Sequence, residues 1–254
     1  MNTNNDPAAI PVPANFLPRH PWDNGDLQLR DEKLMEHPRT PQAVQRMLAD
    51  YYRYVSYMDS EIGRILDALA ASPHAANTIV VHTADSGVAR GGHGLIGKQN
   101  LYEDSIRIPL VITGPGIPAD RRSRALVMLH DLLPTLGKRC GIDPPQGSDG
   151  IDFGAALAHP EQPSRKELIC AYRQSQRALI TRDWKLIRYP QAGKAQLFDL
   201  AHDPMEVRNL AADPQHAARL EDLSQQLDAG LKEAEASAPA TTEGKPNGRK
   251  KPRK

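Results

Sequence analysis

The feature that most constrains the fold is a glycine-rich loop between two short β-branched runs. Residues 78–83 and 108–113 have the composition of buried strands. The loop between them gathers the side chains that carry chemistry: Asp85, Ser86, Arg90, His93 and Lys98. A carboxylate and a hydroxyl at a strand's carboxyl end suit a hard cation, and the cationic groups suit an anionic substrate. Ligands of open α/β sheets bind at this end, so the loop predicts a binding site, with a purely structural loop as the alternative.

A long amphipathic helix is predicted before the loop. Thr40 can cap it and Pro41 suits its first position, and the helical spacing of apolar residues continues to about Ala71. The stripe along one face is predicted to pack in the core, and it comprises Tyr51, Tyr52, Val55, Met58, Ile62, Ile65, Leu66 and Leu69.

A different pattern follows the loop. A short helix is expected at 130–141. Four short runs at 167–173, 177–182, 184–189 and 195–200 predict an antiparallel meander, and Asp213 begins a closing helix.

These patterns divide the chain into four parts and predict an α/β fold. The parts are an extended N-terminal segment at 1–38, an α/β region at 39–160, a small antiparallel sheet with a C-terminal helix at 161–236, and a disordered basic tail at 237–254.

The overall composition gives no sign of a nucleic-acid or membrane partner. The 254 residues contain 32 Lys+Arg against 31 Asp+Glu, a net charge of +1. No run approaches the roughly 20 apolar residues that span a bilayer. The first residues lack the pattern of a signal peptide, which predicts a cytoplasmic location if Met1 is the true start.

The central block resembles the sulfatase family, within the alkaline-phosphatase-like group of metal-dependent hydrolases. The resemblance rests on phrases that follow one another in order: Thr83-Ala-Asp-Ser-Gly87, Gly91-Gly-His-Gly-Leu95, Gly97-Lys98, Leu101-Tyr-Glu-Asp-Ser-Ile-Arg-Ile-Pro-Leu110 and Gly114-Pro-Gly116. It extends from about Leu17 to about Ala212 and covers the family's later portion. It implies that residues 39–160 form the later part of the sulfatase α/β domain, a partial alkaline-phosphatase-like parallel sheet flanked by helices, with a strand at 123–128.

The resemblance implies roles for four residues of the loop. Asp85 and Ser86 match metal-binding positions, and the metal implied is Ca²⁺. The family usually has Asn or His where this chain has Ser86, whose hydroxyl binds the metal directly, through water, or not at all. His93 and Lys98 match positions at the sulfate group or its bridging oxygen, where a cationic donor stabilises the leaving oxyanion. Arg107 and Glu103 are expected to tie the loop to the sheet through an ion pair.

Two features that the family implies are missing from this sequence. Sulfatases act through a formylglycine made in a Cys/Ser-x-Pro/Ala-x-Arg motif, and they carry an earlier Asp-Asp pair of metal ligands; neither precedes Asp85. The leading interpretation is therefore a C-terminal portion of a sulfatase, either a truncated product or one piece of a split enzyme with a separate N-terminal half. The chain alone is expected to be inactive on sulfate esters.

Two alternatives remain open. The first is a phosphoric ester hydrolase of the same superfamily, although phosphatases of that group use more metal-binding His and Asp. The second is a non-catalytic accessory or binding protein that kept the loop and lost the chemistry.

Overall fold

The computed structural model describes residues 6–143 and 147–237. Its helices are α1 (Pro41–Ala70), α2 (Glu103–Ile106), α3 (Leu132–Arg139), α4 (Gly154–Ala158) and α5 (Ala217–Ser237). Its strands are β1 (Val80–Thr83), β2 (Leu110–Thr113), β3 (Glu167–Tyr172), β4 (Gln176–Thr181), β5 (Trp184–Tyr189) and β6 (Lys194–Asp199). Of the basic tail predicted at 237–254, Ser237 instead ends α5, and the other residues lie outside the described ranges. Within them, no helix has the length and apolar character to cross a membrane.

Helix α1 begins as its sequence predicts and ends one residue early. The Thr40 hydroxyl accepts a hydrogen bond from the Ala43 amide at 3.2 Å, and Pro41 occupies the first position. The first turns bury Val44 and Leu48 against Ile10 and its partly buried neighbours in the N-terminal segment.

The prediction that the whole α1 stripe packs in the core is wrong. Beyond the first turns, Met58, Ile65 and Leu66 are exposed by 41%, 69% and 44%. A 30-residue helix is about 45 Å long at 1.5 Å per residue. The apolar residues that pack against it belong mainly to the N-terminal segment and cover only its first turns.

The strands β1 and β2 form an antiparallel pair in which Val80 faces Thr113 and Thr83 faces Leu110. The expectation of buried strands in a parallel sheet is therefore wrong for this pair, since His82, Leu110 and Val111 are exposed. The strand expected at 123–128 is also absent, because these residues have an irregular backbone. Within the described ranges, both β1 and β2 have a free edge.

The predicted C-terminal meander is confirmed, with strand order β3-β4-β5-β6 and antiparallel pairing throughout. Alternate residues of each strand point to opposite faces. Leu179, Leu186 and Leu197 pack against α5, whose Leu223 and Leu227 are buried there. The other face packs against the glycine-rich loop through Ala178, Ile187, Tyr189 and Phe198, which contact Leu95, Leu101 and Tyr102. One face of the meander thus packs against the glycine-rich loop and supports it.

Candidate functional site

The structure brings together Asp85 and Lys98, two of the four predicted site residues. Asp85 lies two residues beyond the end of β1, and its Oδ2 is 3.9 Å from Nζ of Lys98. Both side chains are largely exposed, and Ser86 beside them is half-buried. An exposed pair at this distance contributes at most about 1 kcal/mol to stability. Either side chain can therefore leave the ion pair and contact a ligand at little energetic cost.

The loop backbone folds back on itself, and this fold brings Asp85 and Lys98 together. Ala89 N–H donates to Gly97 O at 3.0 Å, and Gly91 N–H donates to Leu95 O at 2.8 Å. Near the start of the loop, Gly87 N–H donates to Ser105 O at 2.9 Å. A Cβ at Gly87 would lie 2.1 Å from the carbonyl oxygen of Asp104, so only glycine permits this close approach.

A buried ion pair from the N-terminal segment holds the far side of the loop. The Glu32 carboxylate accepts hydrogen bonds from the backbone amides of Ile96 and Gly97, at 3.3 and 2.8 Å. These two residues directly precede Lys98 in the chain. Arg39 pairs with Glu32 and donates to the carbonyl of Gly94. We call this pair the loop clamp. The sequence contains no periodic signal for it, because Glu32 and Arg39 belong to an irregular segment.

His93, predicted as catalytic, is buried in a packed environment. Its ring stacks on Tyr102 at 3.6 Å between centroids, and Asn15 Nδ2 lies 3.1 Å from its Nε2. Burial lowers the pKa of His93 to about 3, and electrostatic repulsion from His20 and Lys185 acts in the same direction. The imidazole is therefore neutral at physiological pH. Its catalytic role stays a prediction.

A buried charge cluster lies between the loop and the meander. Lys185 on β5 is fully buried, with its Nζ 2.6 Å from Glu103 Oε1, 2.7 Å from Glu206 Oε1 and 3.1 Å from the carbonyl of Leu101. Burial raises the pKa of Glu206, and the ammonium of Lys185 opposes that shift. The ammonium therefore donates to one carbonyl and lies between two carboxylates that balance its charge.

The cluster corrects the expectation for Glu103. Its ion pair with Arg107 exists at 3.8 Å but lies within one helical turn, whereas Lys185 makes the connection to a sheet. Period-2 alternation could have found Lys185, because it shares a strand face with Ile187 and Tyr189.

The residues present do not form a calcium site by themselves. Ca²⁺ takes six to eight oxygens in typical protein sites. Asp85 supplies one exposed carboxylate and Ser86 one hydroxyl, and the described part of the chain contains no cluster of three or more His, Cys, Asp or Glu suited to a metal. The metal roles of Asp85 and Ser86 stay predictions.

Comparison with known proteins gives consistent matches. A family model described as Sulfatase matches residues 15–142, and one described as N-sulphoglucosamine sulphohydrolase, C-terminal, matches residues 91–233. Arylsulfatase K of Bos taurus is 32% identical over 187 residues, 68% of this chain and 35% of the relative. Choline-sulfatase of Rhizobium meliloti is 31% identical over 181 residues, 69% of this chain and 35% of the relative. The chain spans about a third of the length of these curated relatives.

Solved structures show the same relationship. A phosphonate monoester hydrolase from Silicibacter pomeroyi superposes with a TM-score of 0.73 at 25% identity, covering 93% of this chain and 52% of the hydrolase. A 2-O GAG sulfatase superposes with a TM-score of 0.70 at 26% identity, covering 77% of this chain and 45% of the sulfatase. The predicted α/β fold, part of the alkaline-phosphatase-like architecture with a small antiparallel sheet and a C-terminal helix, is confirmed. Matched by these two models over at least half its length each, the chain belongs to the sulfatase family.

Proposed function

We propose that this chain forms one wall of a sulfatase site, which hydrolyses sulfate monoesters when the earlier portion of the family's fold supplies the nucleophile. The observation that carries the proposal is the contact between Asp85 and Lys98, 3.9 Å apart at the end of β1. The loop that holds them is the block through which the chain resembles sulfatases. By itself the chain has no formylglycine motif ahead of Asp85, so we expect it to be inactive alone.

The chemistry assigned to this wall is stabilisation of the leaving group. Hydrolysis of a sulfate monoester breaks a sulfur–oxygen bond and leaves negative charge on the departing oxygen. An ammonium near that oxygen stabilises the charge or provides a proton. Lys98 is better placed for this task than His93, because its ammonium reaches solvent whereas the His93 ring is buried and neutral.

Removing Lys98 tests this role in a fused enzyme. We expect Lys98→Ala to lower kcat/KM for an aryl sulfate by about 10²–10³-fold, the usual loss when one donor to a developing oxyanion is removed. The chimera joins the unmatched part of the Rhizobium meliloti choline-sulfatase to this chain. Lys166→Ala, at an exposed position with the same charge, is the control and should retain full activity. Equal activities of the two variants would remove Lys98 from the mechanism.

Calcium titration of the chain alone tests the metal assignment. We expect no saturable heat with Ca²⁺ tighter than the millimolar range, because one carboxylate and one hydroxyl supply too few oxygens. Asp85→Ala is the control for any weak signal. Submillimolar binding that Asp85→Ala abolishes would show instead that the chain holds the ion without help.

A phosphorus-based ester is the second candidate substrate. The superposition on a phosphonate monoester hydrolase favours it. Parallel assays of the same chimera with an aryl sulfate and an aryl phosphonate separate the two, and the higher kcat/KM identifies the substrate class. A chimera inactive on both, while properly folded, would favour the accessory-protein alternative.

A further inference from the structure

Two neighbouring acidic residues of the N-terminal segment hold the backbone on both sides of Lys98. Glu32 accepts hydrogen bonds from the two amides that precede Lys98, as part of the loop clamp. Asp31 acts on the other side through Gln99, whose Nε2 donates to Asp31 Oδ2 at 3.1 Å. The Oε1 of the same Gln99 side chain accepts from the backbone amide of Lys98 at 3.1 Å. We call the contacts that run from Asp31 through Gln99 to the Lys98 amide the amide bridge.

The amide bridge and the loop clamp meet at Gly97, where they fill the space that a side chain would occupy. A Cβ at Gly97 would lie 2.8 Å from Gln99 Oε1 and 2.8 Å from Glu32 Oε1. It would also lie 3.3 Å from the Cβ of Asp31. Glycine permits this close approach because it has no Cβ. The backbone that carries Lys98 is therefore fixed directly before this residue, at its own amide and directly after it.

The charge of Asp31 fixes the orientation of the Gln99 amide group. The hydrogen bond from Gln99 lowers the pKa of Asp31, and Arg30 and the positive charge of Lys98 act in the same direction. Asp31 is therefore a carboxylate at neutral pH, and a carboxylate only accepts hydrogen bonds. Gln99 must therefore turn its NH₂ group toward Asp31, which leaves its oxygen to accept from the Lys98 amide.

The side chain of Lys98 is held less firmly than its backbone. Its ammonium lies 3.9 Å from Asp85 Oδ2, and both side chains are largely exposed. An exposed ion pair of this kind is weak, so the place of the ammonium depends on the backbone from which the side chain extends. A displacement of about 1 Å in a group that assists a reaction can lower the rate by about 10²-fold. Residues that fix this backbone therefore bear on the reaction.

We propose that Asp31 and Gln99 are positioning residues that keep the Lys98 ammonium beside Asp85. The inference rests on the proposed function, because the place of the ammonium matters for the reaction assigned to Lys98. Both residues act through the backbone of Lys98 and not on the substrate. Their effect on the reaction should therefore disappear when Lys98 is removed, and it should return when the amide bridge is rebuilt from other groups.

The amide bridge can be rebuilt with its negative charge at the other end. Gln99→Glu alone removes the donor to Asp31 and brings two carboxylates together. Asp31→Asn combined with Gln99→Glu provides an amide at position 31 that donates to a carboxylate at position 99. That carboxylate still accepts from the Lys98 amide, and the net charge of the pair is that of the natural chain. Gln162→Glu, at an exposed position, is the control for an added carboxylate.

The place of the Lys98 ammonium can be measured in the chain alone, without any assay of activity. Reductive methylation with isotopically labelled formaldehyde keeps the charge of each lysine and gives it an NMR signal, and the Lys98 signal is the one missing from Lys98→Ala. Asp85→Asn should shift this signal, because the carboxylate lies 3.9 Å from the ammonium. Gln99→Ala and Gln99→Glu should each reduce this shift by at least about half, since the exposed ion pair alone does not hold the lysine. The rebuilt bridge and Gln162→Glu should retain the full shift.

A double-mutant cycle in the fused enzyme tests the effect on the reaction. Gln99→Ala should lower kcat/KM for the aryl sulfate about tenfold, less than the loss expected on removing Lys98 itself. In the Lys98→Ala background the same substitution should change kcat/KM less than about twofold. A residue with a purely structural role would instead lower the activity by the same factor in both backgrounds. The rebuilt bridge should recover most of the activity.

The outcomes separate the positioning role from the reaction. The positioning role is overturned if the Lys98 signal responds to Asp85→Asn as strongly in Gln99→Ala as in the natural chain. A rebuilt bridge that behaves no better than Gln99→Glu, or equal losses of activity in both backgrounds, would overturn it as well. If the Lys98 signal behaves as expected but Lys98→Ala does not lower the activity of the fused enzyme, the proposed function fails, and the placement of Lys98 by the amide bridge stands.

Discussion

Replacing Lys185 with methionine is expected to cost about 3–5 kcal/mol of unfolding free energy. The ammonium of Lys185 is fully buried between Glu103 and Glu206. Removing the ammonium leaves two carboxylates without a counter-charge in a low-dielectric interior. The desolvation free energy of these unpaired charges exceeds the net stabilisation that the original contacts contributed. Urea denaturation followed by circular dichroism measures the loss. Lys194→Met, at an exposed position on β6, removes the same charge and should change stability by less than about 0.5 kcal/mol.

The dependence on pH gives a second check on the same cluster. Burial raises the pKa of Glu206 and Lys185 opposes that shift, so Lys185→Met should raise the folded-state pKa further above the unfolded value. A carboxyl group of this kind favours folding when protonated and loses that contribution as pH rises through its folded pKa. The deficit of Lys185→Met should therefore shrink as pH falls from about 7 towards 5. Adding Glu206→Gln should recover part of it at neutral pH, and a deficit independent of both changes would falsify the charge argument.

Breaking the loop clamp is expected to have the second largest effect. Arg39→Met should cost about 3 kcal/mol, because it leaves the buried Glu32 carboxylate without its cation and the carbonyl of Gly94 without a donor. The loop should also open locally. Hydrogen exchange should accelerate most at the amides of Ile96 and Gly97, which donate hydrogen bonds to the Glu32 carboxylate.

Two further variants distinguish loss of the loop clamp from a general loss of stability. Arg46→Met, at an exposed position on α1, should leave both stability and exchange unchanged. The double variant Arg39→Met with Glu32→Gln should be more stable than Arg39→Met alone, because a neutral amide oxygen still accepts from the backbone without an unpaired charge. Uniform acceleration of exchange across the whole chain would contradict a local clamp.

Local signals in the sequence predicted the elements that depend on neighbours in the chain. Thr40 and Pro41 place the start of α1, and alternation with tight breaks places the four strands of the meander within one or two residues. The close approach of Asp85 and Lys98 follows from glycines that allow the loop to fold back.

The structural features that the sequence did not predict depend on contacts between residues distant in sequence. Burial of the α1 stripe requires a layer that the described residues do not provide, although the periodicity that predicts it is real. Glu32 and Arg39 acquire their role only when residues 32–39 meet residues 94–97. His93 looks like a loop residue open to solvent in sequence, yet Tyr102 and Asn15 enclose it.

The anchoring of the glycine-rich loop bears on whether its motif can be transferred to other scaffolds. His93 N–H donates to the carbonyl of Asn15, Glu32 and Arg39 hold residues 94–97, and Lys185 fixes the segment after Lys98. Each anchor comes from a different stretch of the chain. An excised peptide spanning 85–98 should therefore sample many conformations, and grafting these residues alone onto a foreign protein should not reproduce the meeting of Asp85 and Lys98. A successful graft would need the N-terminal segment and the meander as well.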